Sequence, residues 1–165
     1  MNTILEKRAV SFLVIITVLS SHFGALNAQP TLYIHDSSRQ LATVDVPTGN
    51  VSIIGPLDAV FTDIAFDPSG QLFGITFNEL YEINATDASV ALVGTHGIPS
   101  AVALTFNSDG TLYAASGSNT NLYTINPNDG TSVAIGSTGH RAAGDLAFNS
   151  GIPVSYTHLT LPTKA

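Results

Sequence analysis

Short apolar and alternating segments of about five residues recur along the chain, and clusters of turn-forming residues separate them. The clusters combine Asp, Asn and Pro, which start tight turns, with Gly, which adopts the positive φ that such turns require. Examples are residues 67–70, 107–110 and 126–130. The segments predict β-strands joined as hairpins, because no apolar period of 3.6 residues runs through them.

This pattern repeats with a period of 40 to 42 residues. Residues 65–73 return as residues 105–113, and residues 147–151 open the motif again. Residues 31–33 align with residues 71–73, so the first unit lacks only its opening strand. Four antiparallel strands at this period are typical of a β-propeller blade. The sequence therefore predicts an all-β fold, a partial β-propeller of about three four-stranded antiparallel blades.

The repeated phrase also carries a resemblance. Phe-Asp-Pro-Ser-Gly-Gln-Leu-Phe at 66–73 and Phe-Asn-Ser-Asp-Gly-Thr-Leu-Tyr at 106–113 resemble the blade motif of secreted bacterial β-propeller repeat proteins of the NHL and YVTN type. The resemblance covers residues 31–151 and implies a propeller fold in an extracytoplasmic protein. It implies no single activity, since propellers of this kind include binding modules, lactonases, lyases and cell-surface proteins.

The N-terminal segment has the order of a secretory signal peptide. Lys7 and Arg8 precede an uncharged apolar run at residues 9–19, and small residues follow up to Ala28. The apolar run is shorter than the roughly 20 residues that cross a bilayer. We expect residues 1–28 to be a signal peptide, which leaves no membrane span after cleavage and places the protein in a secreted or periplasmic location.

The C-terminal segment departs from the repeat. Residues 154–165 have no counterpart in the earlier units and resemble a translated sequencing adapter, although residues 155–161 alternate well enough for a genuine strand. The propeller domain is therefore expected at residues 29–153, and residues 154–165 are expected to be an artefact. A closed propeller has typically 4 to 8 blades, so the domain is expected to be a fragment of a ring.

Charge restricts the class of partner. Residues 29–153 hold two basic residues, Arg39 and Arg141, against eleven acidic ones. Nucleic acids are excluded as partners, because their binding depends on Lys and Arg that neutralise phosphates. The chain has no Cys, so the fold holds together by packing without disulfides. The expected partner is an extracellular ligand or protein whose identity the sequence leaves open.

Candidate ligand-binding residues lie in or next to the loops that lead into the first strand of each unit, where propellers usually bind ligands. They are Asp58, Asp63, His96, His140 and Asp145. Carboxylate and imidazole groups suit a divalent cation or a polar ligand at the channel mouth. The alternative is structural: Asp63 and Asp145 accept backbone N–H bonds, and the histidines are ordinary loop residues. Ala103 takes the equivalent place in the intervening unit, so a ring of ligands is incomplete.

Three functions remain open, and the third is an architectural surface protein that a C-terminal sorting signal would attach to the cell. The first is an exported propeller module for binding or surface interaction, favoured because the sequence shows no nucleophile elbow, phosphate loop or zinc-protease motif and predicts no catalytic residue. The second is a propeller enzyme of the lactonase or lyase type with a metal at the channel mouth. Asp63, His140 and Asp145 are its candidate contributors, and a divalent cation is the one cofactor compatible with them.

Overall fold

The computed structural model describes residues 31–149 and 152–155, which form β-strands joined by turns and loops. The strands of the described residues are β1 Thr31–His35, β2 Gln40–Asp45, β3 Val51–Pro56, β4 Asp63–Phe66, β5 Leu72–Ile75, β6 Glu79–Ile83, β7 Val90–Thr95, β8 Ala101–Phe106, β9 Leu112–Ser116, β10 Asn121–Ile125, β11 Ser132–Ser137, β12 Leu146–Asn149 and β13 Ile152–Ser155. The predicted signal peptide lies outside the described residues, as does most of the predicted adapter segment.

The strands form antiparallel sheets in chain order. Blade 1 is the three-stranded sheet β1–β2–β3, blade 2 is β4–β5–β6–β7, blade 3 is β8–β9–β10–β11, and β12 pairs with β13. Strands β4 and β12 both contact β8, so the first strands of successive units line the inner edge of an arc. The prediction of a partial all-β propeller is confirmed, including a first blade without its opening strand among the described residues.

The register within each blade repeats as closely as the sequence does. The third strand pairs with a fourth strand that carries one extra residue, at Ile54 in β3, Val93 in β7 and Ile135 in β11. A glycine follows each extra residue, and the pairing resumes at that glycine. A bulge of this kind bends the outer strand of a blade and increases its twist.

Aromatic side chains pack across every blade junction. Tyr33 of β1 contacts Phe66 of β4, with ring centroids 4.9 Å apart. The same pair recurs as Phe73 with Phe106 at 5.3 Å and as Tyr113 with Phe148 at 5.2 Å. Edge-on or tilted ring pairs at this spacing are favourable. Aromatic residues at equivalent repeat positions therefore pack between successive blades.

A glycine at the end of each outer strand lets the next blade approach. A Cβ built on Gly94 would lie 2.1 Å from the carbonyl oxygen of Asp129, and one on Gly55 would lie 3.0 Å from that of Asp87. Asp87 and Asp129 belong to the turns between the third and fourth strands of blades 2 and 3. The backbone of one blade therefore rests directly on the outer strand of the blade before it.

Candidate functional site

The loops that lead into the inner strands lie at one end of the arc, which we call the mouth end. They comprise residues 57–62, 96–100 and 138–145. The turns between the second and third strands of each blade lie at the same end. The opposite end, which we call the turn end, carries the turns between the first and second and between the third and fourth strands. All five predicted residues lie at the mouth end.

Asp63 opens the inner strand β4 and ties blade 2 to blade 3. Its Oδ2 accepts a 2.7 Å hydrogen bond from the backbone N–H of Leu104 in β8, and its Oδ1 accepts one from Ile64. The neighbouring Thr62 hydroxyl donates across the same junction to the carbonyl of Ala101. Asp63 thus makes the backbone contacts that the structural interpretation of the sequence predicted for it.

The carboxyl group of Asp63 has a raised pKa. Burial raises the pKa of Asp63 to about 7, although the hydrogen bonds from Leu104 and Ile64 favour the charged form. The negative charge of Asp145 adds to this rise in pKa. Asp145 precedes β12, two inner strands away, so the curvature of the arc brings the two carboxylates within electrostatic reach. Ala103 supplies no carboxylate at the equivalent place in blade 3.

His96 is buried between blades 2 and 3. Its Nδ1 accepts a hydrogen bond from the backbone N–H of Ile98 at 3.0 Å, so the neutral ring carries its proton on Nε2 and donates to the carbonyl of Thr76. Burial lowers the pKa of His96, which favours this neutral form. The hydroxyl of Ser132 in β11 donates to the carbonyl of His96 across the junction. The interpretation of His96 as an ordinary loop residue was wrong, because these contacts make it part of the junction.

Asp58 and His140 are exposed loop residues, and the described part of the chain offers neither side chain a hydrogen-bond partner. The structure therefore brings Asp63 and Asp145 into electrostatic range of each other. Within residues 31–149 and 152–155, no three His, Cys, Asp or Glu side chains are grouped so that they could hold a metal ion.

The sequence did not predict two exposed apolar side chains at the mouth end, Val60 and Phe77. Val60 lies in the loop before β4, and Phe77 lies in the turn between β5 and β6. The repeat contained a signal for Phe77, because Ser37 and Gly117 take the equivalent places in blades 1 and 3. An aromatic residue that interrupts a polar repeat position is not explained by blade packing.

The turn end uses its carboxylates internally. Asp45, Asp87, Asp109 and Asp129 each accept a hydrogen bond from a Ser or Thr hydroxyl of the same turn. These side-chain bonds lower the pKa of all four residues. Turn formation accounts for their positions without a metal ion.

No protein-family model matches the chain, and a comparison of its sequence with curated proteins finds no match. The described residues contain no helix that is long and apolar enough to cross a membrane.

Solved structures show what the fold is similar to. A chain of the nidogen/laminin complex matches with a TM-score of 0.60 at 14% identity, covering 74% of this chain and 50% of that one. A gluconolactonase from Xanthomonas campestris matches with a TM-score of 0.54 at 15% sequence identity, and the match covers 71% of this chain and 40% of that one. Virginiamycin B lyase from Staphylococcus aureus matches with a TM-score of 0.53 at 14% sequence identity, and the match covers 74% of this chain and 43% of that one.

These neighbours are β-propeller proteins, so the fold of this chain is that of a β-propeller. The chain spans half or less of the length of each of them. They include both binding modules and enzymes, and the likeness singles out neither class of function. At identities this low, similarity establishes architecture, and function must be argued from the site.

Proposed function

We propose that the chain is an exported β-propeller module that binds an extracellular ligand or protein through its mouth end. The contrast between the two ends of the arc carries this proposal. At the turn end the exposed carboxylates are bonded within their own turns, whereas at the mouth end Asp58 and His140 make no side-chain hydrogen bond among the described residues. Val60 and Phe77 are exposed at the same end as Asp58 and His140. Exposed aromatic and apolar groups surrounded by ionisable ones are typical of interaction surfaces.

The charge distribution supports the same end. Arg39 and Arg141, the basic residues of the predicted domain apart from its histidines, both lie in mouth-end loops. The described turns at the turn end contain no basic residue. The mouth end therefore offers both signs of charge beside apolar groups, which suits a ligand with mixed polarity.

Export is supported by Lys7, Arg8 and the apolar run that follows them. We expect a secretion-competent host that expresses the whole gene to release a protein that begins at Gln29. Mass spectrometry of the N-terminal peptide from the cell exterior checks the cleavage site. Recovery of the protein only inside the cell, with residues 1–28 retained, would contradict export.

The binding proposal is tested with labelled protein on an array of glycans and short peptides. Phe77→Ala is expected to weaken the strongest array signal by about tenfold, since exposed aromatic residues often dominate binding energy. Leu92→Ala is the matched control, because Leu92 is equally exposed but lies on the outer strand β7. Equal losses in the two variants would contradict binding at the mouth end.

The enzyme of lactonase or lyase type is the alternative, and the raised pKa of Asp63 favours it. A carboxyl group that titrates near pH 7 can exchange a proton under neutral conditions. The described residues do not assemble three metal ligands, so the metal of this alternative has no site of the usual kind. Turnover of a lactone that requires an added divalent cation and disappears in Asp63→Asn would favour the alternative.

A further inference from the structure

Blade 2 has a neighbouring blade on each side among the described residues. Both of its faces are packed, so the cavities that remain on it are not made by the first or last described residue. One such cavity lies between two turns of this blade, at residues 67–71 and 84–89. A cavity of this kind is a property of the blade, and its own residues determine which ligand it fits.

The cavity has a volume of about 520 Å³, and its lining residues all belong to blade 2. This volume is within the range of about 300 to 1,000 Å³ that is typical of ligand pockets. A second cavity of about 240 Å³ shares Glu82 and Ala91 with the first and extends to Pro127 and Asn128 in the outer turn of blade 3. The two cavities form one continuous groove, which we call the Glu82 groove.

Glu82 departs from the repeat. Thr43 of β2 and Thr124 of β10 take the equivalent places in the register of blades 1 and 3. Threonine favours β-strands and glutamate does not, so the fold gives no reason for a glutamate at this position. The side chain of Glu82 is exposed and makes no hydrogen bond with another described residue. Neither the blade nor its junctions use this carboxylate.

The charge of Glu82 has no basic partner within the neighbouring blades. The sequence holds no Lys or Arg from residue 40 to residue 140, and this range includes all strands of blades 2 and 3. Among the described residues that line the groove, Glu82 alone is charged. A cationic group in the groove would therefore meet one carboxylate and no competing cation.

The other polar groups of the groove are mainly acceptors. The side-chain amide of Gln71 donates to the carbonyls of Leu72 and Ile83 at 2.9 and 3.1 Å, which leaves its Oε1 as an acceptor. The hydroxyls of Thr86 and Ser89 donate within their own turn. The groove therefore suits a ligand that is rich in hydrogen-bond donors.

An arginine side chain fits this combination of groups. A guanidinium group can donate to both oxygens of the Glu82 carboxylate and keeps N–H groups for a second acceptor such as Oε1 of Gln71. Its aliphatic stem can pack on Val90 and Ala91, which also line the groove. A sugar fits less well, because no aromatic ring lines the groove among the described residues.

We propose that the Glu82 groove binds an arginine side chain from an extended segment of a partner protein. The groove continues from blade 2 to the outer turn of blade 3, which gives room for the residues on either side of the arginine. The net charge of −7 attracts a basic segment from a distance. This site is separate from the mouth end and goes beyond the function proposed above.

The test is a titration of the whole isotope-labelled chain, followed by NMR, with two blocked pentapeptides. One has arginine at its centre between threonine and glycine residues, and the other has citrulline there, which has the shape of arginine without its charge. The arginine peptide is expected to bind about fivefold more tightly, as a well-placed ion pair provides. It is expected to move the amide signals of Glu82 and Ala91 more than those of the mouth-end loops.

Two variants that remove the same charge locate the effect. Glu82→Thr introduces the residue of the other blades and is expected to abolish the preference for arginine over citrulline. Asp109→Asn is the matched control, because it lies in an exposed turn outside the groove and retains the Oδ1 atom that accepts from Thr111. The control is expected to bind the arginine peptide as the wild-type protein does.

Four outcomes would overturn the proposal. The wild-type protein could fail to bind the arginine peptide, or it could bind both peptides equally. Glu82→Thr and Asp109→Asn could lose the same amount of affinity. Blocked arginine alone could bind as tightly as the pentapeptide, which would exclude a protein segment as the ligand. Loss of arginine binding in Phe77→Ala, with Glu82→Thr unaffected, would place the site at the mouth end instead.

Discussion

Replacing Gly94 with alanine is expected to lower the free energy of unfolding by about 3 kcal/mol, at the upper end of the usual cost of overpacking. The added Cβ would lie 2.1 Å from the carbonyl oxygen of Asp129 and 3.0 Å from its carbonyl carbon if the backbone did not move. Both partners in this clash are backbone, so no side chain can rotate to relieve it. The junction between blades 2 and 3 must open instead.

Urea unfolding followed by circular dichroism measures this loss. Gly144→Ala is the matched control, because nothing lies within 4 Å of its Cβ position and its φ is not left-handed. Gly55→Ala is expected to fall between the two, since its nearest backbone atom is 3.0 Å away. If Gly94→Ala were as stable as Gly144→Ala, the direct contact between the blade backbones would be refuted.

Asp63 is expected to make the protein less stable as the pH rises from about 4 to about 7. The folded pKa of about 7 exceeds the ordinary value of 3.8, so between these values the folded state holds a proton that the unfolded state has lost. The free energy of unfolding therefore decreases with pH across this window, by about 4 kcal/mol in total for this one group. The contribution is fully present below pH 3.8 and absent above the folded pKa.

Comparison with Asp63→Asn isolates this effect. The amide has the shape of the carboxyl group and cannot ionise, so the stability difference between the two proteins is expected to change across the window. The buried His96 contributes with the opposite sign below its ordinary pKa of 6.5, but it is present in both proteins and cancels in the difference. A difference that stays constant from pH 4 to pH 8 would show that Asp63 titrates normally.

The sequence predicted the architecture because the repeat encodes it locally. Residues 66–73 and 106–113 specify both a turn and the aromatic residues that flank it, and the structure places those residues at equivalent junctions. Turn residues and strand alternation act over a few positions, so a single sequence is enough to read them. The backbone hydrogen bonds of Asp63 followed from its place at the start of an inner strand.

The environment of the candidate site depends on contacts between distant residues, which the repeat does not encode. His96 is buried, and one of the two groups that bond to its ring nitrogens, the carbonyl of Thr76, lies in another turn. The rise in the pKa of Asp63 depends on how much of blade 3 covers it. The exposure of Phe77 depends on which neighbouring turns pack near it, and the described blades leave it 52% exposed. These properties follow from how the blades pack, and no local pattern specifies them.

The bulges at Ile54, Val93 and Ile135 bear on solubility. The outer strands β3, β7 and β11 contain no charged residue, and strand edges of that composition promote aggregation in concentrated solution. A bulge interrupts the regular hydrogen-bonding edge before each strand ends and twists the remainder away from a flat template. Each blade is thus protected against edge-to-edge polymerisation by its backbone geometry, without the lysines that many β-proteins use for this purpose.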